Sequence, residues 1–360
     1  MFKRKLLFFF CIVLVGYAVT GFFVKFLTFS FTPLPEKRTI HYVFQPSASF
    51  HRLVLDLQER GLITHPNWFC LLAYLKGATN QLKRGEYLFE AGITPNQLLT
   101  QMKAGRVILH QFTLVEGWTV QQTLAALQAS PYLLHELTRL PLSRQLLTNP
   151  ALPDNPEGLF FPATYYYSLG EKDIDLLNRS HQLLEKKLQQ AWLGRAANLP
   201  YKTPYEALIV ASLIEKESAL YAERPMIAGV ITRRLAKHMP LQIDASIIYG
   251  LADRYTGKLT SEDLRHDTPY NGYTRRGLPP TPIASPSLNA IQAALHPDHS
   301  ENIYFVAKGD GSHQFSDTLS IHNRAVAIYQ LEKHSRLAAK KPTLTSKHKN
   351  KPPVPPLTNF

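Results

Sequence analysis

From Leu6 to Val24 the chain reads LLFFFCIVLVGYAVTGFFV, 19 residues without a charge, preceded by Lys3, Arg4 and Lys5 and followed by Lys25. That is about the helical length needed to cross the hydrocarbon layer of a bilayer. The run is long for the apolar part of a signal peptide, and no small-x-small cleavage site follows it closely. A retained anchor is therefore expected, with residues 1–32 forming a cytoplasmic stub and a single transmembrane helix. Basic residues before a span favour the cytoplasmic side. In a bacterial inner membrane this would place the rest of the chain in the periplasm.

An exported location changes the meaning of the charge. The formal net charge of +13 resembles that of a nucleic-acid-binding protein, but part of it lies beside the anchor and in the tail KKPTLTSKHKNKPPVPPLTNF, which holds no acidic residue. The expectation is no nucleic acid partner, with inner membrane lipids and anionic cell wall as the counter-charge and a disordered, solvating tail over residues 333–360. The two cysteines, Cys11 in the anchor and Cys70 beyond it, are not expected to pair. There is no HExxH, and the 14 histidines are scattered. No metal and no cofactor is expected.

Past the anchor, periodicity predicts a strand near His41–Gln45, helices over Ser49–Arg60 and Pro66–Lys76, a strand over Gly85–Phe89 and a helix opened by Thr94-Pro95. This makes a small α+β module of about 70 residues. A strand over Val107–Val115, a helix capped by Thr119 and a mostly helical segment lead to NPEGLFFPATYYYSLG, whose aromatics can stack on sugars or simply pack beneath a loop. A helix over Ile174–Trp192 leads to a helical hairpin, then long loops, and GDG in IYFVAKGDGSHQFS marks a hairpin turn.

The hairpin carries the chemistry. In ALIVASLIEKESALYAERPMIAGVITRRL, Ala207 to Leu235, an end-on helical projection puts Glu217 in the middle of a bulky apolar arc formed by Ile209, Leu220, Leu213, Val210, Tyr221 and Ile214. Glu215 falls on a thinner side beside Ala211 and Leu208. A carboxyl on the buried arc raises its pKa and keeps its proton, as a general acid must. The competing reading pairs Glu217 with an arginine such as Arg233 or Arg234, or leaves it simply at the helix mouth. Ordinary glycosidases need a second carboxylate, for which Asp244, Glu262 and Asp267 are candidates. Without one, a muramic residue can supply its own C6 hydroxyl as nucleophile, and one glutamate can act first as acid and then as base.

Several segments together resemble one family: LVEGWTV, EGLFFPATY, ASLIEKES, RRLAKHMPLQIDASIIYG, RYTGKLTSEDL, TPYNGYTRRGLPPTPIASPS, AALHP and IYFVAKGDGSHQFSDTLSIHN. The chain resembles the membrane-anchored endolytic murein transglycosylases called MltG or YceG-like. The resemblance implies an α+β fold: the single anchor, a LysM-like module over 33–106 and a mainly helical, lysozyme-like catalytic region over 107–332 with inserted loops and short strands. It implies Glu217 as the catalytic residue, and Ser218, Gln242, Tyr270 and Asn271 as sugar-pocket residues. Glu157 and Tyr165, in the matching EGLFFPATY segment, are added as substrate-binding candidates, although a cap or turn role competes for Glu157 as it does for Glu116. The implied reaction cuts nascent peptidoglycan glycan strands between MurNAc and GlcNAc, leaving a 1,6-anhydro end and limiting strand length, with peptidoglycan synthases as partners. The chain departs from the usual family wording at Ala163, where an aspartate is common, and at Ile243-Asp244-Ala245-Ser246, where TDPT is common. The rival readings are a hydrolase that makes reducing ends and a non-catalytic wall-binding scaffold.

Overall fold

The computed structural model describes residues 2–35, 38–45, 47–137 and 155–331. The tail expected to be disordered, 333–360, and the end of the helical segment expected before Asn155 lie outside them. The fold is mixed α+β, with one long apolar N-terminal helix and a mostly helical body carrying small sheets. The chain divides into two compact units, residues 1–187 and 188–360.

In the first unit, helix α1 (Phe2–Phe31) contains the apolar run and is the one described helix long and apolar enough to cross a membrane. Strands β1 (Ile40–Phe44) and β2 (Gly85–Phe89) pair antiparallel, with Tyr42 opposite Tyr87. Helices α2 (Phe50–Glu59), α3 (Pro66–Leu75) and α4 (Pro95–Ala104) complete a core of Leu53, Leu57, Phe69, Tyr87, Phe89 and Leu98. Thr94 begins α4 with a capping box: its hydroxyl accepts from the Gln97 backbone while the Gln97 side chain accepts from the Thr94 N–H. The last turns of α1 join this core. Phe22, Phe26 and Phe29 place their rings 5.8, 5.9 and 5.9 Å from that of Trp68 on α3.

A second antiparallel pair follows. Strand β3 (Leu109–Thr113) lies against β4 (Thr164–Ser168), with Phe112 opposite Tyr165. The aromatics of β4 are flanked by Gly and Pro in the sequence, which hides the strand pattern. Its residues nevertheless alternate, Tyr165 and Tyr167 inward and Tyr166 outward, as a half-buried strand requires. Helix α5 (Val120–Gln128) is capped by Thr119, and α6 (Asp173–Leu193) carries the chain into the second unit.

The second unit is built on α7 (Pro204–Glu217). Pro204 at its first position and the Thr203–Glu206 capping box fix its start, and every residue from Ala207 to Ile214 is buried. At roughly 1.5–3 kcal/mol for each large aliphatic side chain removed from water, this helix anchors the unit. It packs against α8 (Arg224–Ala236) and α11 (Leu288–Leu295). Short helices α9 (Asp244–Leu251) and α10 (Ser261–Arg265) precede a long loop. The hairpin of β5 (Tyr304–Ala307) and β6 (His313–Ser316) turns through Gly309-Asp310-Gly311, as GDG predicts, and α12 (Leu319–Val326) follows.

Candidate active site

The helical projection across Glu217 requires correction. Helix α7 ends at Glu217, Ser218 takes extended angles (φ −140°, ψ 129°), and Leu220 and Tyr221 are 43% and 57% exposed instead of sharing a buried arc with Glu217. Side-chain bonds make the stop. Ser218 Oγ accepts from Leu220 N at 3.0 Å, and Arg224 Nε donates to the Ser218 carbonyl at 3.2 Å. Glu215 secures the same corner: its carboxylate accepts from Arg224 Nη2 at 2.8 Å and from the Ser287 backbone and hydroxyl at 3.0 and 2.5 Å. Ser287 in turn caps α11. Glu215 is thus a structural carboxylate, buried and fully partnered.

Glu217, two residues on, is part-buried and faces a cavity of about 380 Å³. No ion pair or hydrogen bond holds its carboxyl among the described residues, and the pairing with Arg233 or Arg234 does not form. Arg233 binds Asp298 at 3.0 Å, and Arg234 donates to carbonyl and amide oxygens. Burial first, and the negative charge of Asp244 second, push the Glu217 carboxyl up to about 7. Such a group carries a proton near neutrality and can release it.

Loops and the hairpin supply the rest of the cavity wall. Asp244, at the start of α9, accepts from the Tyr273 hydroxyl at 2.9 Å. Burial, then Asp244, holds the Tyr273 phenol well above its ordinary range. Gln242 sits at φ +55°, where its N–H donates to Gly272 O at 3.1 Å and its side-chain oxygen accepts from Arg234 at 3.2 Å. Phe305 and His313 come from the hairpin, and His322 from α12. Glu223 Oε2 lies 2.7 Å from His313 Nδ1, and its Oε1 accepts the His313 N–H at 3.0 Å. Among the described residues, no group of three or more His, Cys, Asp or Glu is placed to share a metal ion.

The structure separates the other sequence candidates by what they touch. Asn271 is fully buried, and its amide donates to the carbonyls of Leu264 and His266 at 3.1 and 2.7 Å, which ties the 264–271 loop closed. The Tyr270 hydroxyl meets Thr281 Oγ at 2.9 Å. Glu157, in the first unit, accepts the Val120 N–H at the start of α5, and Tyr165 donates to Phe161 O at 2.6 Å. Of the three second-carboxylate candidates, Asp244 shares the cavity, whereas Asp267 is bonded to Arg275 at 2.9 Å and neither it nor Glu262 lines the cavity. Sequence reasoning did not single out Tyr273, His313 or His322. Alternation along β5 and β6 was the available signal, since it puts His313, Phe305 and Phe315 on one face.

The sequence profile of the YceG-like family matches residues 43–328. The chain belongs to the YceG-like family. An endolytic murein transglycosylase of Bacillus subtilis (strain 168) is 27% identical over 323 residues, covering 84% of this chain and 88% of that protein. One from Streptococcus pneumoniae serotype 2 is 30% identical over 305 residues, 75% of this chain but only 55% of the streptococcal protein's length. The crystal structure of a YceG-like protein from Listeria monocytogenes aligns with a TM-score of 0.50 at 26% identity, covering 80% of this chain and 99% of the other. The YceG-like match takes in the whole of the Glu217 cavity.

Proposed function

We propose that this chain is an endolytic murein transglycosylase that cuts glycan strands between MurNAc and GlcNAc, with Glu217 as the catalytic residue. The observation that carries this reading is an unpartnered, desolvated carboxyl facing a cavity, its proton held up to about neutrality. In the first step Glu217 gives its proton to the bridging oxygen, and the GlcNAc leaves with a 4-hydroxyl. In the second step the resulting carboxylate takes the proton of the muramic C6 hydroxyl as O6 bonds to C1. The glycan closes to a 1,6-anhydro end, no water is consumed, and Glu217 is again protonated. Gln242 is the proposed sugar contact. Ser218, Tyr270 and Asn271 are proposed to hold the surrounding turn and loop in shape for substrate, and Glu157 and Tyr165 to contribute through the segment they order. The anchor is proposed to leave the N-terminus cytoplasmic and the catalytic region periplasmic, with the 33–106 module docking on wall glycan. Strand-length control beside peptidoglycan synthases is part of this proposal.

Purified protein acting on uncrosslinked nascent glycan tests it. Wild type is expected to yield shortened chains with anhydro ends, and Glu217→Gln none; anhydro product at the wild-type rate from Glu217→Gln would refute the role. A hydrolase reading is favoured by one observation, the presence of Asp244 in the same cavity, where a second carboxylate could activate water. Its product is heavier by one water, so mass spectrometry of the ends separates the two.

A further inference from the structure

Arg234 is a buried cation with no anion bonded to it among the described residues. The residue is 7% exposed, and its Nε and Nη1 donate to the carbonyls of Ile303, Pro240 and Leu241 at 2.7, 3.1 and 2.9 Å and to the Gln242 side-chain oxygen at 3.2 Å. All four acceptors are neutral. The neighbouring arginines differ: Arg224 has Glu215, and Arg233 has Asp298. A charge removed from water without a counter-ion is costly, and burial accordingly lowers the Arg234 pKa. Asp244, which lines the same cavity, bonds Tyr273 instead. The Nη2 edge of Arg234 carries no hydrogen bond among the described residues.

A second group beside it is also unsatisfied. His322 lines the same cavity, and its Nδ1 is buried without a hydrogen-bond partner among the described residues. Its ring stacks on Tyr304 at 5.1 Å and 22°, and the Arg234 guanidinium lies 5.1 Å over that same Tyr304 ring. Burial, then the guanidinium, lowers the His322 pKa, so the imidazole is neutral and can offer an N–H without adding charge.

We propose that Arg234 and His322 form an anion subsite in the Glu217 cavity that takes a carboxylate carried by the glycan, either the lactyl carboxylate of a muramic residue or one from its peptide stem. The inference rests on the glycan-cleaving reading and adds a specificity to it. Guanidinium–carboxylate bonds are charge-assisted and directional, so the subsite would select acidic substrate over its neutral counterpart.

The full-length protein in detergent tests this with four short glycan oligomers: one with free lactyl carboxylates, its methyl ester, one with L-Ala-D-Glu stems, and that one amidated. Binding is read on the Glu217→Gln protein, and cleavage on wild type. The expected result is a preference of ~10-fold or more for an acid over its neutral partner, from one charge-assisted contact. The pair that shows the preference identifies its source. Arg234→Gln should erase the preference, with any loss of affinity for the neutral oligomers, through the Gln242 side chain it holds, smaller than the loss for the acids. Arg234→Lys should keep part of the preference, and His322→Phe, which preserves the stacking on Tyr304, should reduce it. Equal binding of acid and neutral oligomers, or equal weakening of both by Arg234→Gln and by His322→Phe, would overturn the subsite. If wild type cleaves the oligomers without acid preference, the subsite alone falls; if it cleaves none, the glycan-cleaving reading falls with it.

Discussion

Tyr273 donates its hydroxyl to Asp244 across 2.9 Å, and both residues line the cavity that holds Glu217. Asp244 is therefore fixed in place as a negative charge near a carboxyl that must keep its proton. Removing that charge in Asp244→Asn makes Glu217 easier to ionise. The alkaline limb of the cleavage profile, set by a carboxyl held at about 7, should move to lower pH. The pH dependence of kcat/KM on a defined glycan checks this, and an unmoved limb would argue against electrostatic support from Asp244.

Folding stability should carry the same signature. The Glu217 carboxyl ionises at about 7 in the folded chain against a reference value of 4.5, so between those values the folded state binds a proton that the unfolded state has released. Stability is full below about 4.5 and falls as pH rises to 7, by about 3 kcal/mol in total for a shift of this size. Glu217→Gln should flatten that decline and make the protein more stable than wild type above neutrality. Denaturant titrations of both proteins on either side of the window measure it.

Substitution at the Glu215–Arg224 pair should lower stability instead. With side chains 6% and 2% exposed, neither partner is rescued by water when the other is lost. Arg224→Met should destabilise the protein by about 3–5 kcal/mol, because it leaves a buried carboxylate uncompensated. Thermal unfolding reads the loss. Activity should fall with it through the disturbed Ser218 turn.

Gly229, in the middle of α8, offers a purely steric test. A Cβ there would meet Asp298 Oδ1 and come within 2.7 and 2.9 Å of the Arg233 guanidinium nitrogens. Gly229→Ala gains helix propensity but must displace the Arg233 and Asp298 side chains from their bridged positions. A net loss of roughly 1–3 kcal/mol is expected by overpacking, measurable by denaturant unfolding.

Much of the fold was legible wherever the determinants are local. Thr94 and Thr119 announce their helices because a cap needs residues only three positions apart, and the hairpin turn at Gly309-Asp310-Gly311 is likewise short-range. The end of α7 was not legible. The apolar pattern runs on through Ala219 and Leu220, and the stop depends on Arg224 and Ser287, the latter 69 residues beyond Ser218. The site divides in the same way. Glu217 stands out as a carboxyl in an apolar helix, but the desolvation assigned to Leu220 and Tyr221 comes from elsewhere, and its cavity neighbours Tyr273, His313 and His322 are assembled by tertiary contacts that no local spacing encodes.

With the anchor spanning the bilayer as proposed, the seam between the end of α1 and Trp68 sets how far residues 33–106 can stray from it. Thirty helical residues rise about 45 Å, some 15 Å more than a hydrocarbon layer is thick. At the C-terminal end of that surplus, past Lys25, Phe26 and Phe29 are gripped by Trp68 instead of fraying into a slack tether. A module mounted on such a post has its standoff dictated by helix length, and it would patrol a thin layer above the lipid at nearly constant height.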